Sequence, residues 1–228
     1  MLKRIIFIFL LSIAGIIYFS CKHESLDPVD VGYKYYPSNV GHWVMYEVDS
    51  TYYDGFTHTV RKYHFKINEK IESTFLDNQN RPTQRIERYK KATDTTNWFL
   101  KDVWASNLTS TTAEKVEENV RYVKLVFPII GGQTWNGNAL NDLGSQDYEY
   151  DNVFEPYSIN GFSFDSTVTV IQNKDTNLIH VSDMVEIYAK NVGLIYKKYK
   201  DVNKEADPLH DSITSGVDYT YRIISFGN

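Results

Sequence analysis

Cysteine is nearly missing from this sequence: of 228 residues one, Cys21, carries a thiol. That excludes a disulfide framework, so a domain downstream of Cys21 has to be held by its core alone. Basic runs are missing too. The chain carries 24 Lys and Arg against 29 Asp and Glu, a formal net charge of −5. Nothing clusters cations as phosphate contacts require, so no nucleic-acid partner is expected. There is no Gly-x-Ser-x-Gly elbow, no phosphate loop and no His-Glu-x-x-His segment, the short patterns that carry common hydrolytic and nucleotide chemistry. Sustained helical periodicity is absent over most of the chain, which argues against a helical bundle.

The first twenty-four residues concern export. Lys3 and Arg4 precede Ile5–Phe19, an apolar run without a charge. A positive start, a short apolar stretch and a small residue before the cut are the marks of a secretory signal peptide. The run is short for a membrane span, which needs about 20 apolar residues. Tyr18-Phe19-Ser20-Cys21 resembles a bacterial lipobox, with Tyr18 where an aliphatic residue is usual. The resemblance implies cleavage before Cys21, palmitate-type acyl chains on that residue and a membrane partner reached through lipid. Two or more chains give stable anchoring where one gives marginal binding. Residues 1–20 are thus expected as signal peptide, 21–35 as lipidated tether and 36–228 as a single domain. Cleavage removes Lys3 and Arg4 and no acid, leaving a net charge of −7. Lys22-His23-Glu24 looks like a charged tag that sends some lipoproteins to the cell surface; it also reads as plain solvated linker.

From Val44 onward the dominant period is two. Val44, Tyr46 and Val48 alternate with Met45, Glu47 and Asp49. Tyr63, Phe65 and Ile67 alternate with His64 and Lys66, and Val123, Leu125 and Phe127 share a face opposite Tyr122 and Lys124. Val185, Ile187 and Ala189 alternate with Glu186 and Lys190. Successive strand side chains point to opposite faces, so this pattern predicts sheets buried on one side. Asp54-Gly55, Asn136-Gly137, Asn160-Gly161 and Asn191-Val192-Gly193 supply turns between them, favouring antiparallel hairpins. The fold class predicted is all-β. Glu69–Phe75 and Ala113–Asn119 also fit short helices, because Ile67, Ile71 and Phe75 fall four apart.

Chemistry is sparse. His58 and His64 are an even number apart and read best as solvated strand histidines; no metal site and no cofactor is expected. Asp201, Asn203, Glu205 and Asp207 alternate like calcium ligands, but Ala206 and Ser212 stand where an EF-hand loop needs Gly and Glu. Asp147, Glu149 and Asp151 read as the wet side of an edge strand. Eighteen tyrosines pair an apolar face with a polar tip, which suits sugar or protein surfaces as well as sheet packing. Ser50, Thr95, Ser166 and Ser212 each follow an aspartate in a pattern used for O-glycosylation, and the same pairs favour turns.

Tyr36-Pro37 through Gly41 to Trp43, and Tyr188-Ala189 through Val192-Gly193-Leu194, resemble the opening and closing motifs of a family of Bacteroidetes-type surface lipoproteins. The resemblance implies an antiparallel β fold, an open or half-closed barrel, and no activity. A fainter echo, Phe127-Pro128 to Trp135, repeats the aromatic–proline–glycine–tryptophan order. Trp43 and Trp135 are therefore expected to be buried behind their bends. Three readings of function stand side by side. The first is a non-enzymatic binding or scaffold lipoprotein of the outer membrane, with protein or glycan partners. The second is a carrier of an apolar ligand in a β cavity. The third is an enzyme with a dispersed carboxylate site.

Overall fold

The computed structural model describes residues 30–206 and 212–228. The expected signal peptide, Cys21 and most of the tether lie outside them, as does Asp207. A 3-10 turn at Tyr33–Tyr35 is followed by twelve strands: β1 (Trp43–Asp54), β2 (Thr59–Leu76), β3 (Pro82–Lys91), β4 (Phe99–Leu108), β5 (Thr112–Glu117), β6 (Val120–Val126), β7 (Thr134–Asn136), β8 (Asp147–Ile159), β9 (Phe162–Thr176), β10 (His180–Ala189), β11 (Gly193–Lys204) and β12 (Ile213–Gly227). All belong to one antiparallel sheet ordered β6-β5-β4-β3-β2-β1-β12-β11-β10-β9-β8-β7. Each strand pairs with its sequence neighbours except across β6 and β7, which are the two edges, and β12 returns to β1.

The sheet rolls until its edges, β6 and β7, meet. Their seam is thin. Val123 N–H donates to Gly137 O at 2.9 Å, and Trp135 Nε1 donates to Val123 O at 3.0 Å. Tyr150 completes it, its hydroxyl accepting from Val126 N at 2.9 Å and donating to Val126 O at 2.8 Å. Of the open and half-closed barrels that the family resemblance implies, the edges make a nearly closed one.

Both segments that also fitted helices are strand. Ile67 and Ile71 do share a buried face, but a spacing of four satisfies period two as well as a helical turn. A register shift after Ile71 then leaves Phe75 exposed. Glu118 and Asn119 both take positive φ, 49° and 66°, the geometry of a tight hairpin turn whose twist matches its strands.

Packing begins upstream of Tyr36. The compact unit spans Val31–Asn228, so Val31–Tyr35 of the expected tether belong to the domain. Tyr35 is 1% exposed and shares a 2.6 Å hydrogen bond with Ser166. A Cβ at Gly32 would collide with Ile129, so the chain lies directly against the barrel there. Around Tyr35 gather Leu125, Phe127, Ile129, Tyr150, Val168 and Val170, closing this end with apolar side chains. His42 ties the start of β1 to Val192 O at 3.0 Å and to the Asn228 side chain at 2.8 Å.

A second cluster lies partly on the outside. Ile187 and Ala189 of β10 and Ile195 of β11 pack with Ile159, Phe162 and Phe164 of the β8–β9 hairpin, whose tip donates from Asn160 Nδ2 to Ile223 O at 3.1 Å. Elsewhere the outer face is charged: His64 bridges Glu47 and Asp49, and Arg85 bridges Glu72 and Glu87. A bilayer-spanning barrel needs an apolar outer band, and these strands carry the opposite. No helix among the described residues is long and apolar enough to cross a membrane.

Trp43 opens β1 and Trp135 is the middle residue of β7, but neither is fully buried. Trp43 points away from Val44 and Tyr46 and rests beside Gly227. Trp135 is half-buried in the seam, its ring 4.5 Å from Tyr150 and 5.9 Å from Tyr148. Alternation explains Trp43: with Val44 and Tyr46 facing inward, an adjacent residue has to face out.

Candidate functional site

An all-β chain of this size can fill a barrel with Val, Ile and Leu. This one does so only at its closed end. Above Tyr35 and Tyr36 the inward positions of seven strands carry charge: Glu69 on β2, Arg88 on β3, Asp102 on β4, Lys115 and Glu117 on β5, Lys124 on β6, Glu186 on β10 and Lys197 on β11. Four cations thus face four anions. Lys124 Nζ lies 2.7 Å from Glu186 and 3.5 Å from Glu117. Lys197 reaches the same two carboxylates at 3.1 and 3.4 Å. Glu69 joins Arg88 at 2.8 Å and Lys115 at 2.9 Å, and Arg88 also meets Asp102 at 2.7 Å. The Arg88 guanidinium lies 3.5 Å above the Trp104 ring, with Lys115 Nζ at 4.8 Å. Glu186 is 0% exposed, and its second oxygen accepts from Tyr188 Oη at 2.5 Å.

The charges hold one another ionised. Burial alone pushes the Glu117 carboxyl up, but Lys124, Lys197 and Lys115 outweigh it and keep that group well below the usual carboxylate range. Glu186 is held down in the same way by Lys124 and Lys197, and Glu69 by Lys115 and Arg88. Burial lowers Lys197, yet Glu117, with Tyr219 and Glu186 behind it, lifts it well above the usual lysine value. Burial keeps the tyrosines around them protonated, with Tyr219 pushed up to about 12 and Tyr148 raised further still.

This ion-pair layer is the floor of a cavity of about 710 Å³, within the range of small-molecule sites. Tyr122, Tyr148, Tyr199, Tyr219 and Tyr221 line its walls with Trp104, Gln172 and Ser182. Below the floor a pocket of about 70 Å³ is bounded by Tyr36, His42 and Ile71. Turns of a meander alternate between its two ends, so the lining residues Glu118, Leu143 and His180 place the mouth at the end opposite Val31–His42. Three wall residues carry buried polar atoms without a protein partner: Trp104 Nε1, Gln172 Nε2 and Ser182 Oγ. Such atoms are uncommon in folded proteins.

Of the acidic, histidine, serine and threonine residues singled out from sequence, Asp201 lines the cavity, and the rest lie elsewhere and apart. Ser50 is half-buried on β1 and Ser166 is bonded to Tyr35, whereas Thr95 and Ser212 are exposed. His64 is solvated on the outer face and His58 sits in the β1–β2 turn. Asp201 and Asn203 lie on β11, and His180 Nε2 is 2.7 Å from Asp201. Asp147, Glu149 and Asp151 are exposed on β8 while Tyr148 and Tyr150 point inward, as the alternation required. Among the described residues no three His, Cys, Asp or Glu side chains converge as a metal site.

The sequence reading missed every charged residue of the cavity floor. Lys124 and Glu186 were assigned to the wet faces of their strands. A usable signal existed in Met184–Ala189, where a lone acid interrupts residues that are otherwise all apolar; so isolated a charge needs a partner inside.

No known family model and no curated protein matches the chain. Two solved structures do. One is from Bacteroides fragilis, described as a candidate exported protein with a YmcC-like fold, at 8% identity and a TM-score of 0.43, covering 84% of this chain and 98% of its own. The other, described as a candidate lipoprotein of Parabacteroides distasonis, has 9% identity and a TM-score of 0.40, covering 85% of this chain and 98% of its own. Likeness this distant leaves function to be argued from the cavity itself.

Proposed function

We propose that this chain is an envelope lipoprotein of the outer membrane, acylated at Cys21, whose barrel is a binding module for a small polar ligand. The anchoring half rests on the sequence alone: the charged start, the Ile5–Phe19 run and the placement of the only cysteine. The binding half rests on one observation, a 710 Å³ cavity lined by tyrosines above a fully paired layer of buried charge. Burying ion pairs is a poor way to gain stability, because desolvation offsets most of their attraction. An interior kept charged at that cost is better explained by what it holds. The same lining disfavours an apolar cargo, which would face ammonium and carboxylate groups. It also disfavours carboxylate acid catalysis, which needs a carboxyl raised toward neutrality where Glu69, Glu117 and Glu186 are all lowered.

Two measurements test this. Cells grown with a tagged fatty acid should label the wild-type protein and not a Cys21→Ser variant; an unlabelled wild type with a free thiol ends the lipoprotein reading. Thermal denaturation of the purified protein should respond to water-soluble metabolites and not to fatty acids or phospholipids. A ligand at about 100 times its Kd stabilises by about 2.7 kcal/mol. Stabilisation by lipids alone would replace this reading with the apolar carrier.

A further inference from the structure

Taking the cavity as a ligand site, its chemistry narrows the ligand. Tyr148 is only 4% exposed, lines the cavity, and no protein group hydrogen-bonds its hydroxyl. Its ring is fixed on one side by Gly137, where any Cβ would collide with it, and on the other by Trp135, edge-on at 5.9 Å. Tyr219, stacked on Tyr199 at 4.9 Å and 5°, and Tyr122 likewise present hydroxyls without protein partners. All three rings stand close enough to Glu117 and Lys197 for those charges to act on them. Phenols that neither bond to protein nor ionise, one buried and two half-buried, are donors and acceptors held ready for something else.

The floor beneath them sets the charge of that ligand. Each buried cation already has a carboxylate within 4.0 Å, four against four. A ligand with net charge would leave one charge of this closely paired, largely buried layer uncompensated, which is costly. A neutral one leaves the pairs intact. Hydroxyl groups that both donate and accept, spaced along an uncharged molecule, match phenols arranged around a cavity of this volume.

We propose that the cavity binds an uncharged oligosaccharide, hydrogen-bonded through the free hydroxyls of Tyr122, Tyr148 and Tyr219 above the Glu117–Lys197 pair.

The test uses the full acylated protein in a sugar-free detergent. It is titrated with an array of neutral glycans that includes maltotriose, cellotriose and chitotriose. Matched charged trimers of galacturonic acid and of glucosamine, and a capped neutral tripeptide, are titrated beside them. Neutral glycans should bind, and the charged trimers of similar shape should not. Tyr148→Phe and Tyr219→Phe should each weaken binding roughly three- to tenfold, the loss of one net hydrogen bond. Neither should change the melting temperature of the free protein, because no protein partner is lost. Binding of a charged trimer or of the peptide in place of neutral glycans would overturn the proposal and leave the binding module standing. No binding by any probe would overturn both. Glycan binding untouched by both tyrosine variants would place the sugar outside this cavity and overturn the proposal as well.

Discussion

Glu186 shows how much one residue can carry in this barrel. It is 0% exposed and holds Lys124, Lys197 and Tyr188 through two oxygens. Exchanging it for alanine strands two ammonium groups in a region that water scarcely reaches, since Glu117 alone cannot neutralise both. Breaking a buried pair by removing one partner costs about 3–5 kcal/mol. Glu186→Ala should therefore lower the unfolding free energy measured in urea by an amount of that order, and a change under about 1 kcal/mol would mean that the floor is hydrated and the pairs are weak. The residue could not be placed from sequence because alternation is blind to which face is inside. Val185-Glu186-Ile187 fits a strand with its acid outward, and it is the β8–β9 hairpin, covering Ile187 and Ala189 from outside, that reverses the assignment. Tyr148 and Tyr150 were placed on the correct face for the complementary reason. Their neighbours Asp147, Glu149 and Asp151 are three charges in register, more than a barrel interior would take on one strand.

Among the elements, β6 and β7 decide whether the sheet is a barrel or an open curl. Most neighbouring strands share long ladders, but β7 has three residues and meets β6 through one backbone hydrogen bond and a few side chains. Tyr150 supplies two of those links to Val126 from a ring 0% exposed. Tyr150→Phe keeps the ring and removes both, so Val126 loses a donor and an acceptor partner together. Leaving a buried group unsatisfied costs about 1–3 kcal/mol. The expected outcome is a loss of that size, with amide exchange faster at Val123 and Val126 and unchanged in β1 and β12. A uniform increase across the sheet would mean that the seam opens only with global unfolding. Strand positions were legible because β-branched and aromatic residues recur at period two between Asn-Gly and Asp-Gly turns. The seam was not. It depends on a tyrosine hydroxyl and an indole N–H reaching across 24 and 12 residues, and neither leaves a trace in local pattern.

The barrel as a whole is a vessel with one closed end, and the part that closes it is the stretch which reads as tether. Lys22–Lys34 is polar, carries Pro28 and Gly32 and shows no period, so composition alone makes it linker. Its last residues nonetheless act on the barrel. Ile129 N–H donates to Val31 O at 3.1 Å, Asn191 N–H donates to Lys34 O at 2.7 Å, and the Tyr36 hydroxyl reaches Glu114 O at 3.3 Å. The two backbone bonds need no particular side chain, which is why they are silent in sequence. They also divide the segment sharply. A chain beginning at Val31 keeps every one of them, whereas a chain beginning at Pro37 loses them together with Tyr35, a ring buried among Leu125, Phe127 and Val168. Emptying one large aromatic from a core costs about 3–5 kcal/mol, and opening the base would let water reach the small pocket under the ion pairs. Thermal denaturation of the two truncations separates the cases. The Val31 form should melt with the full mature chain, and the Pro37 form should melt well below it. Equal melting of both would show that the barrel is closed by its strands alone and that Val31–Tyr36 merely rest against it.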